Sequence, residues 1–184
     1  MPLGVKNGTA RLEEHNSAWT GMAAELIQEL RSVLGQDAKD IQHVGSTSIP
    51  GIPAKPIIDI AVGVENVEIA EKHRAVLEAH GLHYMGEIVA EQRMYCKSTP
   101  GCDDRTHHIH FVVYGSKRWN DYLNMRDYCN AFPKVAAAYG ELKRGLAAKY
   151  ANDRTMYRDS KDAFIKATLR DAEAWRASLG DKNE

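Results

Sequence analysis

The sequence predicts an α+β fold, a mixed β-sheet core followed by a helical C-terminal layer. Three observations carry this expectation. Short strand-like runs at residues 41–44, 56–62 and 107–113 alternate with helical spacing at 17–34, at 66–80 and from 117 onward. The segments 82–89 and 92–97 lie close enough in sequence to form a hairpin, which puts antiparallel pairing into the sheet. From Ser116 onward only helical spacing appears.

Taken in order, residues 17–34 carry Trp19, Met22, Ala23, Leu26, Ile27, Leu30, Val33 and Leu34 on one face. Asn16 or Ser17 is placed to cap this amphipathic helix, and Gly35 to end it. The run 56–62 is nearly continuous in apolar residues, as a strand covered on both faces would be. Residues 66–80, closed by Gly81, read as a second helix. The turn-rich loop 98–104 leads into the strand 107–113. Helices are then expected over 117–130, over 134–151 with Pro133 at its first position, and over 159–179 with Phe164, Ala167, Leu169, Ala172, Trp175 and Leu179 as apolar positions. Fraying is expected from about Asp181.

A length of 184 residues with 43% hydrophobic content suffices for one core, and no repeat or low-complexity linker divides the chain. A single domain over 1–184 is therefore expected. No apolar run approaches the roughly 18 residues of a membrane span, and the N-terminus lacks the apolar centre of a signal peptide, which points to the cytoplasm. Cys96, Cys102 and Cys129 have neither a paired count nor regular spacing, so they read as free thiols. Residues 1–96 hold 8 basic and 13 acidic side chains, whereas residues 97–170 hold 14 basic and 8 acidic, a net +6. A positive lobe of that kind suits a phosphorylated ligand; a polynucleotide partner is disfavoured, because the basic residues are dispersed and no nucleic-acid module is visible.

The most informative stretch is 43–62. Gly45-Ser46-Thr47-Ser48 is followed by Pro50, Gly51, Pro53 and Pro56, which force irregular backbone, and then by a β-branched run with Asp59 at its centre. The hydroxyls of Ser46, Thr47 and Ser48 and the loop N–H groups can face one concavity, and Gly45 lets a phosphate approach the main chain. An ordinary turn between strands would use some of the same residues. A carboxylate inside an apolar strand must be paired, bind a cation or face an open cleft, since burying it alone is costly. Lys55, Arg93 or main-chain N–H groups are its alternative partners. On the strand 107–113, His108 and His110 alternate to one face, where two imidazoles beside Asp59 would suit a transition metal or acid–base chemistry.

The run Val-Gly-Ser-Thr-Ser-Ile-Pro-Gly, followed by Ala-Lys-Pro-Ile-Ile-Asp-Ile, resembles the GrpB family, a branch of the nucleotidyltransferase superfamily related to DNA polymerase β. The resemblance reaches from Leu12 to about Trp175. It takes in Arg93 and Lys97, Arg126-Asp127-Tyr128, Tyr139-Gly140-Glu141-Leu142-Lys143, Tyr157, Lys161 and the His-x-His strand. It implies a nucleotidyltransferase-like fold binding ATP or another nucleoside triphosphate with Mg²⁺ or another divalent metal, and transferring a nucleotidyl or phosphoryl group to a small molecule. Asp59, His108 and His110 become candidate catalytic residues and metal ligands. Gly45, Ser46, Thr47, Ser48, Lys55, Arg93, Lys97, Arg126, Lys143 and Lys161 become candidates for binding the nucleotide phosphates. Surface ion pairing, such as Arg126 with Asp127, is the alternative for the basic residues.

One position departs from the superfamily pattern. The second strand carboxylate, two residues beyond Asp59 and on the same face, is replaced by Ala61. A nucleotide- or anion-binding module without transfer activity is therefore a second expectation, and a metal-dependent enzyme using His108 and His110 a third.

Overall fold

The structure, a computed structural model, describes residues 3–6, 9–99 and 104–180. Cys102, expected as a free thiol, and the tail from Asp181, expected to fray, lie outside them. In chain order the elements are β1 (Val5–Lys6), α1 (Ala18–Leu34), β2 (Ala38–Val44), β3 (Ile58–Val64), α2 (Ile69–Lys72), α3 (Arg74–Ala79), β4 (His83–Val89), β5 (Gln92–Lys97), β6 (Asp104–Arg105), β7 (His107–Val113), α4 (Lys117–Ala131), α5 (Pro133–Lys149), α6 (Arg154–Asp159) and α7 (Asp162–Gly180). Single 3₁₀ turns follow α1 and occupy Ser46–Ser48.

Five strands form one mixed sheet in the order β2-β3-β7-β5-β4; β3 and β7 run parallel and the other pairs antiparallel. β1 and β6 make a separate antiparallel pair. The alternation of β3 divides the molecule. Ile58, Ile60 and Val62 face α1, where Trp19, Ala23, Leu26 and Leu30 join Ile109, Phe111 and Tyr95 in the main core. Each fully buried Leu or Ile there contributes roughly 1.5–3 kcal/mol. Asp59 and Ala61 point to the other face, where Val44, Val112 and Trp119 of α4 pack and the C-terminal helices form the covering layer. No helix of the described residues is long and apolar enough to cross a membrane.

Several boundaries differ from the sequence expectation. The helix expected over 66–80 is two short ones, broken at His73, whose backbone leaves the helical region (φ −93°, ψ 6°) where its Nε2 meets Asp37 Oδ2 at 2.7 Å. The final helix is preceded by α6, capped by the Asp153 side chain accepting from Met156 N–H at 3.0 Å. Leu179, expected on the apolar face of α7, is exposed, while Thr168 is buried. At α1 it is Asn16 that caps, its Oδ1 accepting from the Ala18 N–H at 3.0 Å. Cys96 and Cys129 are free and buried.

Candidate functional site

The parallel register of β3 and β7 builds the centre of the site. Asp59 stands beside His108 and Ala61 beside His110, so the carboxylate and both imidazoles share the face away from α1. Asp59 Oδ1 lies 3.2 Å from His108 Nδ1 and 3.2 Å from His110 Nε2. Burial pushes the Asp59 carboxyl up, but the hydrogen bonds and charge of the two histidines outweigh it and hold its pKa below the ordinary carboxylate value. Its side chain keeps 27% of its surface exposed, so the carboxylate is reachable from outside. Burial lowers the pKa of His108 against the opposing pull of Asp59.

One ligand atom from each of Asp59, His108 and His110 lies within 4.8 Å of the others. His108 Nε2 is buried without a hydrogen-bond partner among the described residues. A carboxylate and two imidazoles, one of them with an unsatisfied ring nitrogen, fit a divalent cation.

The Gly-Ser loop closes against this centre. Gly45 takes φ +71°, and a Cβ there would stand 2.6 Å from Asp59 Oδ2. The loop hydroxyls are not all available to a ligand, which corrects the expectation that three would face one concavity. Thr47 is buried with its Oγ1 3.0 Å from His43 Nε2, and Ser48 Oγ donates to the Gly45 carbonyl at 2.6 Å. Both fix the loop from within, as hydroxyl groups in turns commonly do. Ser46 is hydrogen-bonded to the Tyr139 hydroxyl, whose pKa burial pushes up to about 12.

Three lysines from separate segments gather beside the loop. Lys55 and Lys161 lie 5.5 and 4.4 Å from the centroid of the Tyr157 ring, and Lys143 lies 4.6 Å from that of Tyr139. Lys143 is 1% exposed, and its Nζ has no hydrogen-bond partner among the described residues. Burial, with the charge of Lys161 adding to it, lowers its pKa to about 7. Burial also lowers Lys55 and Lys161 to about 8, with Asp59 as the opposing charge on both.

The other basic candidates lie elsewhere. β5 alternation puts Arg93 and Lys97 opposite Phe111 and His107, on the α1 side of the sheet. There Arg93 Nε donates to Glu71 Oε1 at 2.7 Å and Lys97 approaches Glu29 at 3.9 Å. Arg126 is a strut rather than a free cation: it donates to Asp127 Oδ1 at 2.7 Å, Gln42 Oε1 at 2.8 Å and the His43 carbonyl at 3.0 Å, tying α4 to β2. These three are removed from the phosphate-binding set by the face or the partners they have.

Two neighbours, Gln92 and Tyr122, escaped sequence reasoning. Gln92 Nε2 lies 2.8 Å from His110 Nδ1, and Tyr122 donates to Gln92 Oε1 at 3.3 Å with its ring 5.2 Å from the imidazole of His110. Gln92 reaches His110 only through the β5–β7 register, which no local spacing announces. Tyr122 and Tyr139, with Ser46, Ile49, Met125 and Leu169, line a cavity of about 290 Å³ opening on the Gly45 loop.

Known proteins share this outline. The family model described as GrpB protein matches residues 9–171. The glutamate-rich protein GrpB of Alkalihalophilus pseudofirmus is 37% identical over 170 residues, covering 91% of this chain and 98% of its own length. The crystal structure of the conserved protein GrpB from Enterococcus faecalis aligns with a TM-score of 0.81 at 34% identity, over 90% of this chain and 99% of that one. The Cid1 poly(U) polymerase, solved with MgGTP bound, aligns with a TM-score of 0.53 at 14% identity, over 73% of this chain and 44% of that one. That likeness is one of fold, and it makes the mixed sheet nucleotidyltransferase-like.

Proposed function

The chain belongs to the GrpB family, and from that premise we propose that it is a nucleotidyltransferase-like enzyme, which binds a nucleoside triphosphate and transfers a nucleotidyl or phosphoryl group to a small molecule. The observation that carries the reading is Lys143, buried with no hydrogen-bond partner for its Nζ among the described residues, with Lys55 and Lys161 nearby and a cation-competent Asp59, His108 and His110 beside them. Burying a cation without a partner is expensive, and an anion of several charges arriving among three lysines offsets that cost.

Within this reading each group has a task. Gly45 keeps the loop free of a Cβ where phosphate oxygens pass. Lys55, Lys143 and Lys161 hold the terminal phosphates, and Ser46 donates to one of their oxygens when it leaves Tyr139. Asp59, His108 and His110 would hold a divalent cation, Mg²⁺ or another, which supplies charge neutralisation at the reacting phosphorus when bound. The cavity walled by Tyr122, Tyr139 and Met125 receives the organic part of a ligand. A cavity of about 290 Å³ matches a small-molecule acceptor better than a polynucleotide.

Calorimetry with ATP and with inorganic tripolyphosphate, with and without a divalent cation, tests the reading. Binding at about 100 times the Kd should add about 2.7 kcal/mol of stability. Asp59→Asn should remove the cation-dependent part while leaving the fold stable to within about 1 kcal/mol. A loss of about 3 kcal/mol, the same with and without the cation, would mean a purely structural Asp59. Ala61 supports a second reading, binding without transfer. It is favoured if ATP binds and no labelled phosphoryl or nucleotidyl group leaves it in the presence of cation and a small-molecule extract.

A further inference from the structure

The proposed function puts a divalent cation at Asp59, His108 and His110, and the choice of metal depends on that part of the reading alone. Mg²⁺ prefers an all-oxygen octahedral shell and sheds its waters reluctantly, whereas imidazole nitrogen suits iron, cobalt, nickel and zinc. Here nitrogen outnumbers carboxylate among the candidate ligands. The place of a second β3 carboxylate is taken by Ala61, fully buried, and its register partner on β7 is His110. An imidazole has thus taken up the side of the site where the superfamily pattern puts an oxygen ligand.

The neighbour of His110 points the same way. Gln92 is 4% exposed and touches two groups, His110 Nδ1 through its Nε2 at 2.8 Å and the Tyr122 hydroxyl through its Oε1 at 3.3 Å. With the amide as placed, its N–H donates to Nδ1, so the ring proton sits on Nε2 and is directed at Asp59 Oδ1, 3.2 Å away. This is the arrangement in which protons fill the site. For Nε2 to give its lone pair to a cation, that proton must leave and Nδ1 must carry one, so the ring stays neutral and Nδ1 becomes a donor. Turning the Gln92 amide by half a turn presents Oε1 to the new donor. Its NH₂ then donates to the Tyr122 oxygen, which accepts as readily as it donates. Both tautomers are satisfied without moving the backbone. A leucine here would satisfy neither, and a lysine would hold the proton-filled form.

We infer that Asp59, His108 and His110 form a site for a single divalent transition metal of the cobalt–zinc kind rather than for Mg²⁺, and that Gln92, backed by Tyr122, is the positioning residue that sets His110 in its ligating tautomer. Outer groups of this type typically change metal affinity by about 10- to 100-fold.

The test uses chelator-treated, nucleotide-free protein titrated with Zn²⁺, Co²⁺ and Mg²⁺ by calorimetry, with the visible absorption of bound Co²⁺ as the signature of nitrogen ligation. One equivalent of Zn²⁺ or Co²⁺ should bind at least about 100-fold more tightly than Mg²⁺. Gln92→Leu should weaken Co²⁺ binding by about 10- to 100-fold and shift its absorption, whereas Gln92→Glu, an acceptor for the Nδ1 proton, should retain it. Tyr122→Phe, which deletes one hydroxyl, should weaken Co²⁺ by a smaller factor and keeps the test open if Gln92→Leu fails to fold. Mg²⁺ binding as tightly as Zn²⁺, no binding of any of the three ions, or Co²⁺ affinity unchanged in Gln92→Leu and Tyr122→Phe would overturn the inference. Absence of ATP and tripolyphosphate binding alongside tight Co²⁺ binding would sink the nucleotide reading and leave the metal site standing.

Discussion

Gly45 closes on Asp59 so tightly that a Cβ at residue 45 would stand 2.6 Å from the Asp59 Oδ2 and 2.9 Å from its Cβ. The main chain of the loop is thereby locked to the carboxylate of the strand that comes after it, and the two motifs of the stretch 43–62 become one structure.

Gly45→Ala should therefore cost more than its backbone conformation alone. Gly51 is the internal control: its φ of +76° is nearly that of Gly45 at +71°, but a Cβ there meets nothing within 4 Å. Gly51→Ala should lose about 1 kcal/mol, the usual cost of a left-handed alanine, and Gly45→Ala about 2–3 kcal/mol together with its ligand binding. Denaturant unfolding of both variants reads the difference. Equal losses would mean that the loop yields and the contact with Asp59 is soft.

Lys143 should trade stability for binding. Its ammonium is buried with no hydrogen-bond partner among the described residues, against Tyr139 and near Lys161. Lys143→Met keeps the alkyl volume and removes the charge, so it should stabilise the free protein by about 1–3 kcal/mol. Tripolyphosphate binding should weaken by about tenfold or more, the equivalent of at least one charge-assisted hydrogen bond. A variant that is less stable and binds equally well would place Lys143 in the packing and not in the site.

The same lysines set a pH dependence. Burial first, and neighbouring cations second, lower Lys143 to about 7 and Lys55 and Lys161 to about 8, from 10.5 in an unfolded chain. Between about pH 7 and 10.5 the unfolded state binds more protons than the folded one, so the contribution of these groups to stability rises with pH across that window. Polyphosphate binding runs the other way, because it needs the ammonium forms. At pH 8 it should take up protons, seen as calorimetric heats that scale with the ionisation enthalpy of the buffer, and affinity should fall from pH 6.5 to 9. Heats independent of the buffer at pH 8 would contradict the cluster's role.

Much of the fold and of the site's centre was written in the sequence in a form that local rules can read. The alternation of His107-His108-Ile109-His110 fixes which imidazoles share a face, and the apolar run through Asp59 marks a buried strand. The order of strands and helices makes a mixed sheet with a helical layer legible before any coordinates. What stayed hidden depends on register between segments distant in sequence. Arg93 and Lys97 sit on a strand as basic as a phosphate site would want, yet the β5–β7 register turns them to the α1 face. Gln92 directly follows the hairpin turn and looks like surface, but the same register buries it beside His110. Thr47 and Ser48 have the composition of an anion loop, and only the 3₁₀ turn of residues 46–48 decides that their hydroxyls turn inward. The two-residue strands β1 and β6 are too short to carry any periodic signal.

Ala61→Asp asks whether the superfamily's geometry persists beneath the histidines. Ala61 is fully buried, shares the β3 face of Asp59 and packs with Val44, Val112 and Trp119. A carboxylate introduced there meets apolar walls and the like charge of Asp59 two residues away on the strand. In the absence of metal it should cost about 3 kcal/mol or more, and part of the variant should carry a proton shared between the two acids. A divalent cation placed between them reverses the balance, because two carboxylate oxygens supply the hard ligands that Mg²⁺ prefers. Added Mg²⁺ should then raise the melting temperature of Ala61→Asp by several degrees while barely moving that of the unaltered protein, and the preference for Co²⁺ over Mg²⁺ should narrow. Should Mg²⁺ leave the variant's melting temperature where it was, residue 61 is not a vacant ligand position, and the replacement of the second carboxylate by His110 is complete rather than superimposed on the older geometry.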